Sequence, residues 1–429
     1  MIRETVAGLA LAALAIAWPA TAQTVASAGV PLADLQSPST RTRISTLQHL
    51  GEQGRMDAAT PMAALLLDGD DDVQFAAVES LLNLYAVRTD LTKRPWGVPS
   101  IGRPTTLAES AFEAGPLATI PTAVPADVVA NLAAVALHDD SQRIRLAAAY
   151  GLGVLGSPAM GPMAPNAVES VISNVVGALQ HPDAATRQVV ARIAGRVFAP
   201  APDAAAPQAI GDALVGAMND RDELVRRWAM DSLGLLHYDR AVQALTDHVS
   251  YYSKGEDGAA ALHAIARIAS PGSAPVMRAL LANQYVPFRL LSIEGLGRIG
   301  DRGALPQIQE SAASSRDPGV LLAAGYARFL FGQADIVAIA DAVGKPDVDI
   351  QAKVYLAEIV MTNPSALHSL LRTPNPSTRM IAAEILGTCR QPGEVAALQP
   401  LQQDPSPEVV DAVNEAIRRL QGYAIATHQ

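Results

Sequence analysis

Residues 222–234 read Asp-Glu-Leu-Val-Arg-Arg-Trp-Ala-Met-Asp-Ser-Leu-Gly, and residues 141–153 read Ser-Gln-Arg-Ile-Arg-Leu-Ala-Ala-Ala-Tyr-Gly-Leu-Gly. Both open on a residue that can cap a helix, place an Arg four positions later, and close on Leu-Gly with the Gly eight positions after the Arg. The same Arg-to-Gly spacing recurs at Arg43/Gly51, Arg187/Gly195, Arg289/Gly297 and Arg379/Gly387. Three residues after the Arg, Thr46, Ala148, Val190, Ala229, Ser292 and Ala382 keep that position small or β-branched. Weaker copies fall in register at Gln74, Gly258, Leu321, Gln351 and Val410. A unit of about 31 residues therefore recurs eleven times, and self-similarity at such a period signals a repeat architecture.

Each anchor sits at one depth in a helix. Four residues before it stand Ser39, Asp70, Ser141, Asp183, Asp222, Asp317, Asp347, Asn375 or Ser406, whose side-chain oxygens can accept from the free N–H groups of a first turn. Pro318, Pro376 and Pro407 follow at the first helical position, where a missing N–H costs nothing. The rest of each unit supplies a partner helix, as at 126–137, 167–179, 208–218, 241–249 and 274–281. No run with strand periodicity competes. The expected fold is all-α: an α-α superhelix of about eleven helix-turn-helix repeats over residues 36–422, forming one continuous elongated domain.

The stretches 222–234 and 141–153 resemble the HEAT-repeat family, in its short variant known as phycobilisome-lyase-like HEAT repeats. The resemblance covers nearly all of residues 36–420. It implies a scaffold, with Asp and Arg ladders tying neighbouring repeats and the second helices lining the concave surface. The name of the variant also suggests an alternative, a lyase- or chaperone-like protein acting on a tetrapyrrole or metal cofactor of a partner.

With the anchor at zero on a helical wheel, positions −1, +3, +6, +7 and +10 form the apolar side and +5 falls opposite. Position +5 carries Gln48, Glu79, Tyr150, Arg192, Asp231, His263, Glu294, Tyr326, Leu356, Glu384 and Glu415. Stacked units turn these into a column, read either as a solvated helix face or as a dedicated binding groove. Glu79, Tyr150, Arg192, Asp231, His263, Glu294, Tyr326, Glu384 and Glu415 are the candidate partner-binding residues, suited to a partner that is polar or basic in part. Charge reversal at Asp231, Glu294 and Glu384 together is expected to leave the helical circular dichroism intact while weakening partner capture.

Three connections are stretched, two of them by short insertions at 156–165 and 199–207 and one by far more. Residues 87–125 hold Pro95, Pro99, Pro104, Pro116, Pro121 and Pro125, which exclude a regular helix pair. Loops of this length are functional or disordered. This insert is read either as a flap contacting a partner through Lys93, Arg94 and Trp96 or as a poorly ordered loop.

The first 22 residues have the pattern of a secretory signal: Arg3, an apolar stretch from Val6 to Trp18, Pro19, and an Ala20-Thr21-Ala22 cleavage site. The expectation is a periplasmic or secreted protein cleaved after Ala22, with a linker at 23–35, a tail at 423–429 and no membrane span after signal removal. The net charge of −10 over 429 residues gives no support to a nucleic-acid backbone as ligand. The single cysteine, Cys389, lies in an apolar helical pattern with Ile385 and Leu386 and reads as a core residue. The eight histidines include none followed by Glu and no pair three or four apart, and no nucleotide, hydrolase or paired-cysteine motif occurs. The sequence thus points to a non-catalytic, cofactor-free scaffold whose partners are proteins.

Overall fold

A computed structural model describes residues 31–85, 106–201 and 204–428. Residues 1–22, the proposed signal, and Lys93, Arg94 and Trp96 lie outside this set. The described residues form helices and no strand. All eleven anchors lie in the first turn of a helix, from Arg43 in Thr40–Glu52 to Val410 in Pro407–His428. The partner helices occupy Ala126–His138, Pro165–Ala178, Gln208–Ala217, Val242–Tyr252 and Ala274–Leu280, within three residues of the expected bounds. The chain is a HEAT-like α-α superhelix in which each anchor-bearing helix packs on the next.

The caps work as the local chemistry requires. Ser39, Asp183, Asp222, Asp317 and Asn375 accept from first-turn N–H groups, and Asp70 accepts from Asp72 and Val73. Ser141 caps without a side-chain hydrogen bond. Asp347 is not the cap of its helix, which begins at Asp349 after Val348.

The recurring glycine has a packing cause. A Cβ at Gly195 would lie 2.7 Å from Cα of Ser232, one at Gly297 2.9 Å from Cα of Ala327, and one at Gly387 2.7 Å from Cα of Ala416. Gly51 meets Ser80 and Gly234 meets Ala264 in the same way. In each case position +8 of one unit faces position +6 of the next, so the anchor helices cross backbone to backbone. Leu, Ala and Ile side chains on either side fill the crossing, with Leu50, Leu152, Leu233, Leu296 and Leu386 fully buried.

The recurring arginine has an electrostatic one. Arg187 donates through Nη1 to the carbonyls of His181 and Pro182 at 2.8 and 3.0 Å, and through Nε and Nη2 to Asp220 of the next unit at 2.7 and 2.9 Å. Arg226 and Arg379 repeat this pattern with Asp257 and Asp404, Arg145 reaches Asp183 through Nη2 and Thr186 through Nε, and Arg43 pairs with Asp68. Each guanidinium thereby joins the end of its own unit's first helix to the following unit. Arg289 breaks the ladder: Ser315 stands where an Asp would, and its buried Nε has no hydrogen-bond partner.

These pairs make stability pH-dependent. The Arg187 hydrogen bond holds the Asp220 carboxyl below its ordinary value, and Arg379 does the same for Asp404. A carboxylate depressed in the folded state contributes stability above the unfolded value of about 4, and this is lost as pH falls through the lower folded value. Burial depresses His237, His248 and His263, so these rings stay neutral in the fold. Their contribution is lost as pH falls below the unfolded value of about 6.5. The melting temperature should therefore fall in two stages on acidification. Asp220→Asn should lower it at neutral pH and flatten the second stage; a profile unchanged by that substitution would remove the ladder as its cause.

The array is not an open rod. The C-terminal helix runs to His428, through the residues expected to form a tail, and returns to the middle of the chain. Arg419 donates to the carbonyls of Leu117 and Thr119 at 2.5 and 3.4 Å. Gly422 lies so close to the Pro121 carbonyl that a Cβ would come within 2.5 Å of its oxygen. The superhelix curves until its last unit closes on the insert.

Candidate functional site

The inner wall of the superhelix is built from the anchor helices, and part of the insert lies against it. Residues Leu107–Ala114 form a helix, capped by Thr106, which accepts from the Glu109 N–H. Gly115, at φ +64, turns the chain into Pro116 and Leu117. This segment is held by side chains from several units. Glu79 is half-buried beside the Leu107 backbone N–H, with burial pushing its carboxyl up. The Tyr150 ring stands 5.5 Å from that of Phe112. Arg192 pairs with Glu113 at 2.5 Å. Arg196 places its guanidinium 3.8 Å over the Phe112 ring and donates to the Phe112 carbonyl. Arg196 is lowered to about 10 by burial and by the neighbouring Arg192.

The rest of the column also turns inward. Asp231 lies 3.6 Å from Arg267 and 3.8 Å from His263. Glu294 is buried, accepting from Tyr355 and pairing with Arg298 at 3.2 Å. Tyr326 is buried and stacks on Tyr355 with centroids 4.0 Å apart, while its hydroxyl donates to Glu358 at 2.8 Å. Glu358 is also held by Arg298 at 2.9 Å. Leu356 and Glu384 are buried. Glu415 pairs with Arg419 and, at 3.7 Å, with Arg418. The structure thus brings Tyr150 and Arg192 to the insert, and groups Glu294 with Tyr326. Asp231 and His263 form a further cluster.

Three of the column's five acids, Asp231, Glu294 and Glu415, are therefore answered by arginines of the chain itself. Arg196, Arg267, Arg298 and Arg419 all stand nine residues after their anchors, one helical turn beyond the +5 column. This second recurrence is legible in the sequence, but which acids the arginines meet is not. Tyr355 and Glu358 carry no comparable signal, because they meet the column only where unit nine touches units seven and eight. The exposed, solvated face expected at +5 is for Glu294, Tyr326 and Glu384 an interior one, since the curvature of the array folds that face onto itself.

The wall is suited to holding a chain segment by ion pairs, aromatic contacts and carbonyl hydrogen bonds. Cys389 is buried and its thiol is pushed up to about 11 by burial, which leaves it a poor nucleophile at neutral pH. Among the described residues no three of His, Cys, Asp and Glu gather to hold a metal ion, and no helix is long and apolar enough to cross a membrane.

No family model matches the chain, and no curated protein matches it. Among solved structures, an engineered protein is similar at 18% identity and a TM-score of 0.40, covering 92% of this chain and 98% of that one. The complex of CpcE and CpcF of phycocyanin lyase from Nostoc is similar at 20% identity and a TM-score of 0.38, covering 58% of this chain and 94% of that one. A structure of Kap95p with RanGDP is similar at 14% identity and a TM-score of 0.40, covering 91% of this chain and 55% of that one.

Proposed function

We propose that this protein is an exported interaction scaffold, periplasmic or secreted, that binds a segment of a partner protein along its concave wall without catalysing a reaction. The observation that supports this reading is the cis-bound segment 106–121. The wall holds a short helix and its following turn by a salt bridge to Glu113, ring contacts to Phe112 and hydrogen bonds to main-chain carbonyls. Carbonyl contacts are independent of side-chain identity, whereas the Arg192 pair and the Phe112 contacts select an acidic residue next to an aromatic one. A partner segment of that character competes with the chain's own. A tethered competitor acts at a millimolar effective concentration and weakens binding from solution accordingly.

The test is exchange of the segment. In Phe112→Ala/Glu113→Ala, with circular dichroism unchanged, a fluorescent peptide of residues 106–121 should bind at least about tenfold more tightly than to the unsubstituted protein. Equal or absent binding in both would overturn the reading. The export part rests on the pattern of residues 1–22, and mass spectrometry of the protein recovered from cells should find a chain beginning at Gln23. A chain retaining Met1 would end that part.

A further inference from the structure

Pro116 and Leu117 roof a cavity of about 310 Å³ whose other walls come from units far apart in sequence, among them Leu235, Val354 and Ile385. This volume lies at the lower end of small-molecule sites, which run from about 300 to 1,000 Å³. The lining is mainly apolar, with a few charged groups. Of these, Arg267 is turned to Asp231 at 3.6 Å and Lys353 to Asp349 at 2.8 Å. Glu358 is bound by Arg298 and Tyr326, and Glu384 is a second, buried carboxylate on the lining.

Arg390 differs. It lines the cavity, and its side chain makes no ion pair or hydrogen bond with the described residues. Burial lowers its pKa, opposed by the neighbouring Tyr423. Its backbone, at φ +59, takes the left-handed turn that also follows the anchor helices at Gly54, His237, Ala269, Gly300 and Gly332. An unanswered cation at the wall of an apolar chamber calls for an anion that brings apolar surface with it.

We propose that this cavity is a binding site for an aliphatic carboxylate, with the carboxylate on Arg390 and the hydrocarbon chain against Leu117, Leu235, Val354 and Ile385. Such a ligand covers the apolar lining and neutralises Arg390 by a charge-assisted hydrogen bond. The site needs the chain's own segment 106–121 on the wall and no partner, so either proposal can fail alone.

Isothermal titration of the mature protein with decanoate is expected to show one site. Decanol, with the same chain and no charge, should bind at least about tenfold more weakly, as should decanoate to Arg390→Met. Leu117→Trp, which fills the chamber, should abolish binding while circular dichroism stays unchanged. No binding of millimolar decanoate to the unsubstituted protein would overturn the proposal. Equal binding of decanol and decanoate would do the same using the unsubstituted protein alone, so the test survives a failure of either variant to fold.

Discussion

Gly195→Val is expected to destabilise the protein by about 3 kcal/mol, at the upper end of what overpacking does in a core. The reason is the nature of the atoms that a side chain would meet. A Cβ at Gly195 would stand 2.7 Å from Cα of Ser232 and 3.0 Å from Cβ of Leu235, and neither can rotate away. The Ser232 hydroxyl also accepts from the Gly195 N–H at 2.9 Å and donates to the Ala191 carbonyl at 2.5 Å, so separating the two helices breaks both bonds at once. Gly325→Ala is the contrasting case. It lies inside the helix Pro318–Leu330 with nothing within 4 Å of an added Cβ. There the substitution should stabilise by about 0.5–1 kcal/mol through helix propensity. Urea midpoints for the two variants would decide the matter: a Gly195→Val protein as stable as the parent would refute the backbone crossing.

The second large effect is expected at Glu294→Lys, a loss of about 4 kcal/mol. Glu294 sits within a network that links three helices: it accepts from Tyr355, pairs with Arg298, and through Arg298 reaches Glu358 and Tyr326. Reversal would set an ammonium beside the Arg298 guanidinium in a site with little water. It would also strip Tyr355 of its acceptor, and a buried donor left unpaired adds about 1–3 kcal/mol on its own. The stacked pair Tyr326–Tyr355 should loosen with it, so the near-ultraviolet circular dichroism should weaken before the helical signal melts. Glu310→Lys, on an exposed site, should change stability by less than about 0.5 kcal/mol. Equal melting of the two variants would contradict the burial of Glu294.

This expectation reverses one drawn from the sequence, that reversing Asp231, Glu294 and Glu384 would spare the fold. A helical wheel separates the face buried against adjacent units from the face opposite. It treats the opposite face as solvated, which is correct for a straight array. In this chain unit seven reaches unit nine, and unit five shares a cavity with unit ten, because the superhelix curves tightly. Partner capture through this column is accordingly better probed by displacing the segment 106–121 than by inverting its charges.

The insert shows the same division. Its prolines ruled out a regular helix pair over 87–125, and the described part is a single helix, Leu107–Ala114, followed by a turn at Gly115. The Thr106 cap with Glu109 three residues on is a local signal of a helix start, and it was open to reading. That Phe112 and Glu113 would meet Arg196 and Arg192, some 80 residues later, was not.

Read alone, the chain's residues determined where the helices begin, how many units there are, and which positions pack. Caps, first-turn prolines and apolar spacing act within a few residues of one another and leave a local trace. The Arg and Gly of each unit were visible as a pattern, but the Asp opposite the Arg and the small residue opposite the Gly became assignable only once adjacent helices were placed. Tertiary structure alone decided that the column faces inward, that Asp231, Glu294 and Glu415 are paired in cis, that the chain's own segment lies along the wall, and that Arg390 is left without a counter-ion. Those outcomes depend on a small rotation between neighbours summed over eleven units, and no local spacing encodes that sum.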